Sequence, residues 1–119
     1  MRRLLQRSDF FVVAAIDDDA VIGGITGHVL PMTRSPSSEL FIYDLAVRAD
    51  RQRQGVGRAL VTALNALAAA EGITTSFVPA DNEDTHALDF YQAIGGEASP
   101  VTFFTFTATD GSSTDARRP

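Results

Sequence analysis

Apolar positions in this chain fall into short continuous runs at first and into a helical repeat further on. The run 10–16, rich in Phe and Val, predicts a buried strand. Asp17-Asp18-Asp19 predicts a turn, and 21–30 the returning strand of a hairpin, with Gly23, Gly24 and Gly27 weakening it or marking bulges. Prolines and serines make 31–38 a loop. A second apolar run, 39–47, is long enough for a central strand, and the polar stretch 48–54 leads from it into Gly55-Val56-Gly57. A helix is predicted over 58–71, because Leu60, Val61, Leu64, Leu67 and Ala68 recur at three- and four-residue spacing and Gly72 stops it.

The rest of the chain repeats the alternation on a smaller scale. Residues 73–78 predict a strand ended by Pro79, and 80–84 an acidic loop. Asp84 or Thr85 caps a second helix whose Ala87, Leu88, Tyr91 and Ile94 share one side, and Gly95-Gly96 ends it. The alternation of Val, Thr and Phe over 101–107 predicts a last strand. The order β-β-β-α-β-α-β, an antiparallel hairpin followed by βαβ units, predicts an α/β fold: a mixed sheet of about five strands flanked by two helices. The expected organisation is a short N-terminal segment 1–9, one domain over 10–107, and a disordered tail over 108–119.

Composition narrows the function classes. A chain of 119 residues supports one domain, and 45% hydrophobic residues are enough for a core. No apolar run reaches the roughly 18–20 residues of a membrane span, and no signal-like run follows the basic N-terminus, so a cytoplasmic protein is expected. The net charge of −5 argues against a general nucleic-acid binder and is compatible with a cationic partner. All ten basic residues are Arg, so no Lys serves Schiff-base chemistry or a P-loop. Without cysteine there is neither a disulfide framework nor a thiolate nucleophile, and His28 and His86 lack metal-ligand spacing, so no metal site is expected.

The candidate chemistry centres on Gln52-Arg53-Gln54-Gly55-Val56-Gly57-Arg58, between a strand and a helix. Glycines let backbone N–H groups converge on a ligand, and the helix start adds the positive end of its dipole, which together suit a phosphate or pyrophosphate. A dinucleotide fingerprint fits poorly, because Leu60 stands at the third glycine. A glycine-rich helix start without a ligand remains the alternative. Asp44 interrupts an apolar run, which makes it either a carboxylate with a raised pKa, suited to a base or an amine binder, or one satisfied at a strand bulge with no chemical role. Tyr91 is either a proton donor or a core aromatic, and Asp81, Glu83, Asp84 and Asp89 either form an anionic wall or a solvated loop and helix start.

Two of these segments resemble a known family. Gln52-Arg53-Gln54-Gly55-Val56-Gly57, after a strand ending Leu-Ala-Val, resembles the coenzyme A signature of the GNAT superfamily of N-acetyltransferases. Ala87-Leu88-Asp89-Phe90-Tyr91-Gln92-Ala93-Ile94-Gly95-Gly96 resembles the family's second motif, with Gly96 where Phe is usual. Tyr43-Asp44-Leu45-Ala46-Val47, the glycine-rich stretch before it and Pro79-Ala80-Asp81 are most similar to aminoglycoside 3-N-acetyltransferases of the gentamicin type. Members of that family begin with a strand and one or two helices, whereas nine residues precede Phe10 here. The family's first elements are therefore expected to be missing, leaving 10–16 as an unpaired apolar edge and favouring a homodimer.

The resemblance implies acetyl-CoA as co-substrate and a cationic amine as acceptor, the 3-amino group of an aminoglycoside, and hence a role in antibiotic resistance. An acetyl-CoA-binding domain without turnover, or an acetyltransferase for another polyamine-like or protein amine, is the alternative. It assigns Leu45, Ala46 and Val47 to the pantetheine through backbone groups, and Gln52, Arg53, Gln54, Gly55, Val56, Gly57 and Arg58 to the pyrophosphate. Asn82 and Tyr91 join the coenzyme site. Tyr43, Asp44, Asp81, Glu83 and Asp84 fall to the acceptor, with Asp44 and Tyr91 as the catalytic pair.

Overall fold

A computed structural model of the chain describes residues 9–31 and 37–108 in full and 2–6 as backbone. Five strands form one sheet: β1 (Arg2–Gln6), β2 (Phe10–Asp17), β3 (Ala20–Pro31), β4 (Ser38–Val47) and β5 (Ser76–Phe77), in that order. Neighbours are antiparallel up to β4, and β4–β5 is parallel. Two helices follow β4: α1 (Val56–Ala70) and α2 (Thr85–Ala93). The α/β reading with a mixed five-stranded sheet and two helices therefore holds.

The β2–β3 hairpin closes between Asp17 and Ala20, and both central residues, Asp18 and Asp19, have positive φ. Such a two-residue turn matches the twist of the strands it joins, and Asp tolerates that conformation better than most side chains. The outer edge of β2 is not free as expected, because β1 pairs with it antiparallel. The sheet edges are β1 and β5 instead.

Helix α1 begins at Val56, two residues before the predicted start at 58, and its N-cap Gly55 lies in the left-handed region at φ 83°. It ends as Gly72 predicts. The N–H of Gly72, at φ 84°, donates to Ala69 O, and that of Ile73 to Ala68 O, so orphan carbonyls are satisfied. Leu60, Leu64 and Ala68 are buried along one face, against a core of Phe11, Val13, Ala15, Ile22, Ile25, Leu40 and Ile42. The glycines of β3 let the helix lie close. A Cβ at Gly27 would meet Leu40 Cδ1 at 3.0 Å and Leu64 Cδ2 at 3.1 Å.

The other face of the sheet carries a row of rings. Phe10 lies 5.6 Å from His28, His28 5.7 Å from Tyr43, and Phe41 stacks on Phe77 at 5.2 Å. Phe10, His28, Phe41 and Phe77 are register partners in turn across β2 to β5, so one cross-strand row spans the sheet.

Two expected strands differ from the prediction. The strand over 73–78 shrinks to Ser76–Phe77, because it pairs with β4 only at Leu40 and Phe41. Residues 101–107 form no strand. They join no ladder, and Val101, Phe103, Phe104 and Phe106 are 70–94% exposed. Alternation supplies one apolar face, but a strand also needs a neighbour to share its backbone hydrogen bonds. Residues 32–36 of the loop, and the expected tail beyond Ala108, lie outside the described residues. No helix among the described residues is long and apolar enough to cross a membrane.

Candidate active site

The site begins with one extra residue in β4. Gly27 pairs with Ile42 and Thr26 with Asp44, so Tyr43 is a bulge. Before it, Leu40 and Ile42 are buried; after it, Leu45 and Val47 pack toward the core while Asp44 and Ala46 are exposed. A bulge shifts the side-chain alternation by one residue, which explains how a carboxylate sits inside an apolar run without being buried. Asp44 is thus no buried acid, contrary to the sequence expectation, and needs no internal partner.

The bulge also resets where the backbone points. The N–H of Arg48 donates to Ile22 O on β3. Alternate residues of an extended strand aim their backbone groups the same way, so Ala46, paired with Gly24, also faces β3. Leu45 and Val47 then face the side where β5 would continue. The amide of Gln52 donates to Val47 O at 3.1 Å, in keeping with that direction. Beyond Phe41 and Phe77, β4 and β5 share no pairing, and the sheet opens between them. Of the three residues expected to offer backbone groups there, Leu45 and Val47 are positioned to do so and Ala46 is not.

A cleft of about 290 Å³ lies at this opening, lined by Tyr43, Asp44 and Leu45 from β4, by Val78 to Asp81 after β5, and by Asp84, Ala87 and Tyr91 from α2. Three carboxylates and two phenols line it, with no Arg among the lining residues. Asp84 caps α2, accepting from Ala87 N at 3.1 Å, and Asp81 Oδ1 accepts from Glu83 N at 2.9 Å. These bonds hold both carboxylates on a rigid turn. Tyr91 is half-buried. Burial first, and the Asp84 carboxylate second, push its phenol above the usual tyrosine pKa. Both favour the neutral, proton-bearing form. Its hydroxyl makes no hydrogen bond among the described residues.

Beside the cleft stands the N-terminus of α1. Gly55 offers no side-chain cap, and the first turn holds no acid, so the leading N–H groups and the positive dipole end are uncompensated within the helix. The preceding loop is braced both within itself and against the end of β2. Arg48 pairs with Asp50 at 2.7 Å, Arg51 with Asp17 at 2.6 Å, and the amide of Gln54 reaches Asp50 O at 3.5 Å. Arg53, at φ 65°, and Arg58 are exposed and have no ion pair among the described residues. The two parts are joined through Phe90, which touches the place where a Gly57 Cβ would stand and whose ring lies 5.2 Å from that of Tyr91.

The fold thus gathers Tyr43, Asp44, Asp81, Asp84, Leu45 and Tyr91 from three separate segments. Asn82 and Glu83 are exposed in the turn and do not line the cleft, and the side chain of Gln52 is spent on Val47 O of β4 and that of Gln54 on Asp50 O of the loop. Ile42, Val78, Pro79, Ala80 and Ala87 line it without having been singled out as site residues. Small or apolar, they carry no chemical signal of their own, although Pro79 did mark where the strand stops.

Comparison with known proteins agrees with this arrangement. The model of the acetyltransferase (GNAT) family matches residues 2–95. No curated protein matches the sequence significantly. Among solved structures, the aminoglycoside acetyltransferase meta-AAC0020 from an uncultured soil metagenomic sample, in complex with trehalose, superposes with TM-score 0.82 at 37% identity, over 89% of this chain and 70% of that one. The aminoglycoside acetyltransferase HMB0005, also from an uncultured soil sample, superposes with TM-score 0.78 at 33% identity, over 88% and 70%. AAC(6')-Iy in complex with a bisubstrate analogue, CoA-S-monomethyl-acetylneamine, shares the fold with TM-score 0.78 at 18% identity, over 87% and 72%. The chain belongs to the GNAT family, and the protein is an N-acetyltransferase.

Proposed function

We propose that the protein transfers the acetyl group of acetyl-CoA to a cationic amine, the 3-amino group of an aminoglycoside. The observation that carries this reading is the convergence of Asp44, Asp81, Asp84 and Tyr91 on one cleft where β4 and β5 part.

The residues beside the cleft fit the coenzyme. The uncapped start of α1 offers backbone N–H groups of Val56, Gly57 and Arg58 to a pyrophosphate, and Arg53 and Arg58 add charge. Leu45 and Val47 offer backbone groups to the pantetheine. Acetyl-CoA supplies the acyl group as a thioester and a thiol as leaving group.

The remaining work falls to the cleft. Asp44, Asp81 and Asp84 attract a polycationic acceptor and hold it, with Asp44 nearest the bulge as the residue that takes up the amine proton. Tyr91, kept protonated by burial and by Asp84, donates to the leaving thiolate. Holding amine and thioester together removes much of the entropic barrier, and no covalent intermediate on the protein is required. The resemblance of 43–47 to gentamicin-type enzymes supports the 3-amino position, and acetylation there supports a role in aminoglycoside resistance.

Thiol release from acetyl-CoA in the presence of gentamicin tests the activity, and NMR of the product tests the position. Turnover with acetylation at N3 is expected. Acetyl-CoA binding by calorimetry without thiol release would instead identify a binding domain without turnover, and acetylation at another nitrogen would remove the positional claim.

A further inference from the structure

The two walls of the cleft are joined over a short length. β5 pairs with β4 at Leu40 with Ser76 and at Phe41 with Phe77, and the N–H of Leu40 donates to Thr75 O at 2.9 Å. At the second of these pairs the rings of Phe41 and Phe77 stack, 5.2 Å apart and 11° from parallel. The cleft lining starts one residue later on each strand, at Ile42 and at Val78. Asp44 follows Phe41 by three positions and Asp81 follows Phe77 by four, so the stacked pair stands at the root of both acid-bearing segments. Phe41 also meets Tyr43 edge-on at 5.8 Å, which carries the contact on to the bulge. A two-residue parallel strand has few ladder bonds to fix its angle to a neighbour. A stacked ring pair across the two strands depends on orientation as well as distance, so it constrains that angle.

We propose that Phe77 is a positioning residue for the acceptor: its stack on Phe41 sets the spread of the two walls and thereby the separation of Asp44 and Asp81. This rests on the reading of the cleft as the amine site. Without the flat contact, the segment from Val78 to Asp81 pivots about the Ser76 pairing, and the two carboxylates no longer hold an acceptor's cationic groups at a fixed spacing. The loss falls on acceptor KM rather than on kcat, because Tyr91 is placed separately, through the packing of Phe90 on α1.

Three variants test this. Phe77→Leu keeps an apolar side chain and removes the ring. Phe77→Tyr keeps the ring and adds a hydroxyl to a side chain that is already 42% exposed. Phe10→Leu removes a ring from the same cross-strand row but away from the cleft. Phe77→Leu is expected to raise the KM for a multiply charged aminoglycoside by about 3- to 10-fold with kcat within about twofold, and the other two variants to stay within about twofold in both. A second reading needs no turnover. The chain has no cysteine, so spin labels at Val21→Cys on β3 and Ala80→Cys on the wall report their separation specifically. The distance distribution is expected to be narrow with Phe77 or Tyr at position 77 and to broaden or shift in Phe77→Leu. An unchanged distribution in Phe77→Leu would overturn the proposal whether or not the protein turns over. So would a KM that rises equally in Phe10→Leu, which would make the row a matter of sheet stability, or a loss in Phe77→Tyr as large as in Phe77→Leu. Absence of native turnover, with the label distances responding as expected, would overturn the acceptor reading while upholding Phe77 as the residue that places the wall.

Discussion

A Cβ on Gly57 would come within 3.1 Å of Cζ of Phe90. Gly57 belongs to the motif beside the coenzyme, yet what fills the space next to it is a ring from α2. Its small size therefore lets α1 and α2 approach each other, and through Phe90 it sets where Tyr91 stands.

The first prediction separates packing from ligand approach at that glycine. Alanine gains at most about 1 kcal/mol over glycine in a helix, less in the first turn where Gly57 stands, and overpacking costs about 1–3 kcal/mol. Gly57→Ala is expected to be neutral or destabilising in the native chain but stabilising when combined with Phe90→Leu, with a coupling of about 1 kcal/mol in urea denaturation. Acetyl-CoA affinity should recover in the double variant. If affinity is lost equally in both backgrounds, the ligand rather than Phe90 requires the glycine.

Asp44 is expected to act on the acceptor alone. It is exposed on the cleft wall, so Asp44→Asn removes charge without leaving a buried group unpaired. The KM for a cationic aminoglycoside should rise and kcat should fall, while calorimetric acetyl-CoA affinity stays within about twofold. Loss of acetyl-CoA affinity to the same degree would assign the residue to the shape of the bulge.

Tyr91→Phe removes only a hydroxyl and is expected to lower kcat by about 10²- to 10⁴-fold with little change in KM for either substrate. Its pKa shift predicts a pH signature as well. Burial and Asp84 raise the folded-state value above that of the unfolded chain, so the folded protein holds the proton more tightly. The associated stability is present below about pH 10 and declines as pH rises through the raised value. Subtracting phenolate absorbance titrations of the Tyr91→Phe variant from those of the native protein should give a midpoint above about 10. A midpoint at or below it would remove the basis for a protected acid.

The contact of β3 with α1 predicts a narrow tolerance at Gly27. A Cβ there meets Leu40 Cγ and Leu64 Cδ2, both at 3.1 Å and both in the core. Gly27→Ala is expected to cost about 1–3 kcal/mol by overpacking, and Leu64→Ala about 2–5 kcal/mol by leaving a cavity. Together they should cost less than the sum, because each relieves the other's defect. Strict additivity in thermal or urea unfolding would show that the two positions do not share space.

The sequence by itself determined what depends on neighbours along the chain. The hairpin, the helix running to Gly72, the cap at Asp84 and the coenzyme-like motif each rest on contacts a few residues apart, so composition and spacing are sufficient to locate them. The tertiary structure decided everything that depends on which strands meet. Asp44 reads as a buried acid because it interrupts the continuous apolar run 39–47, and the bulge at Tyr43 that turns it outward is defined only by the register with β3. The contact between Phe90 and the place of a Gly57 Cβ is equally absent from the sequence pattern, because Phe90 is 33 positions away in the chain and comes there only on folding. Residues 101–107 have the pattern of a strand and are not one here, since alternation is a property of a segment and pairing a property of two.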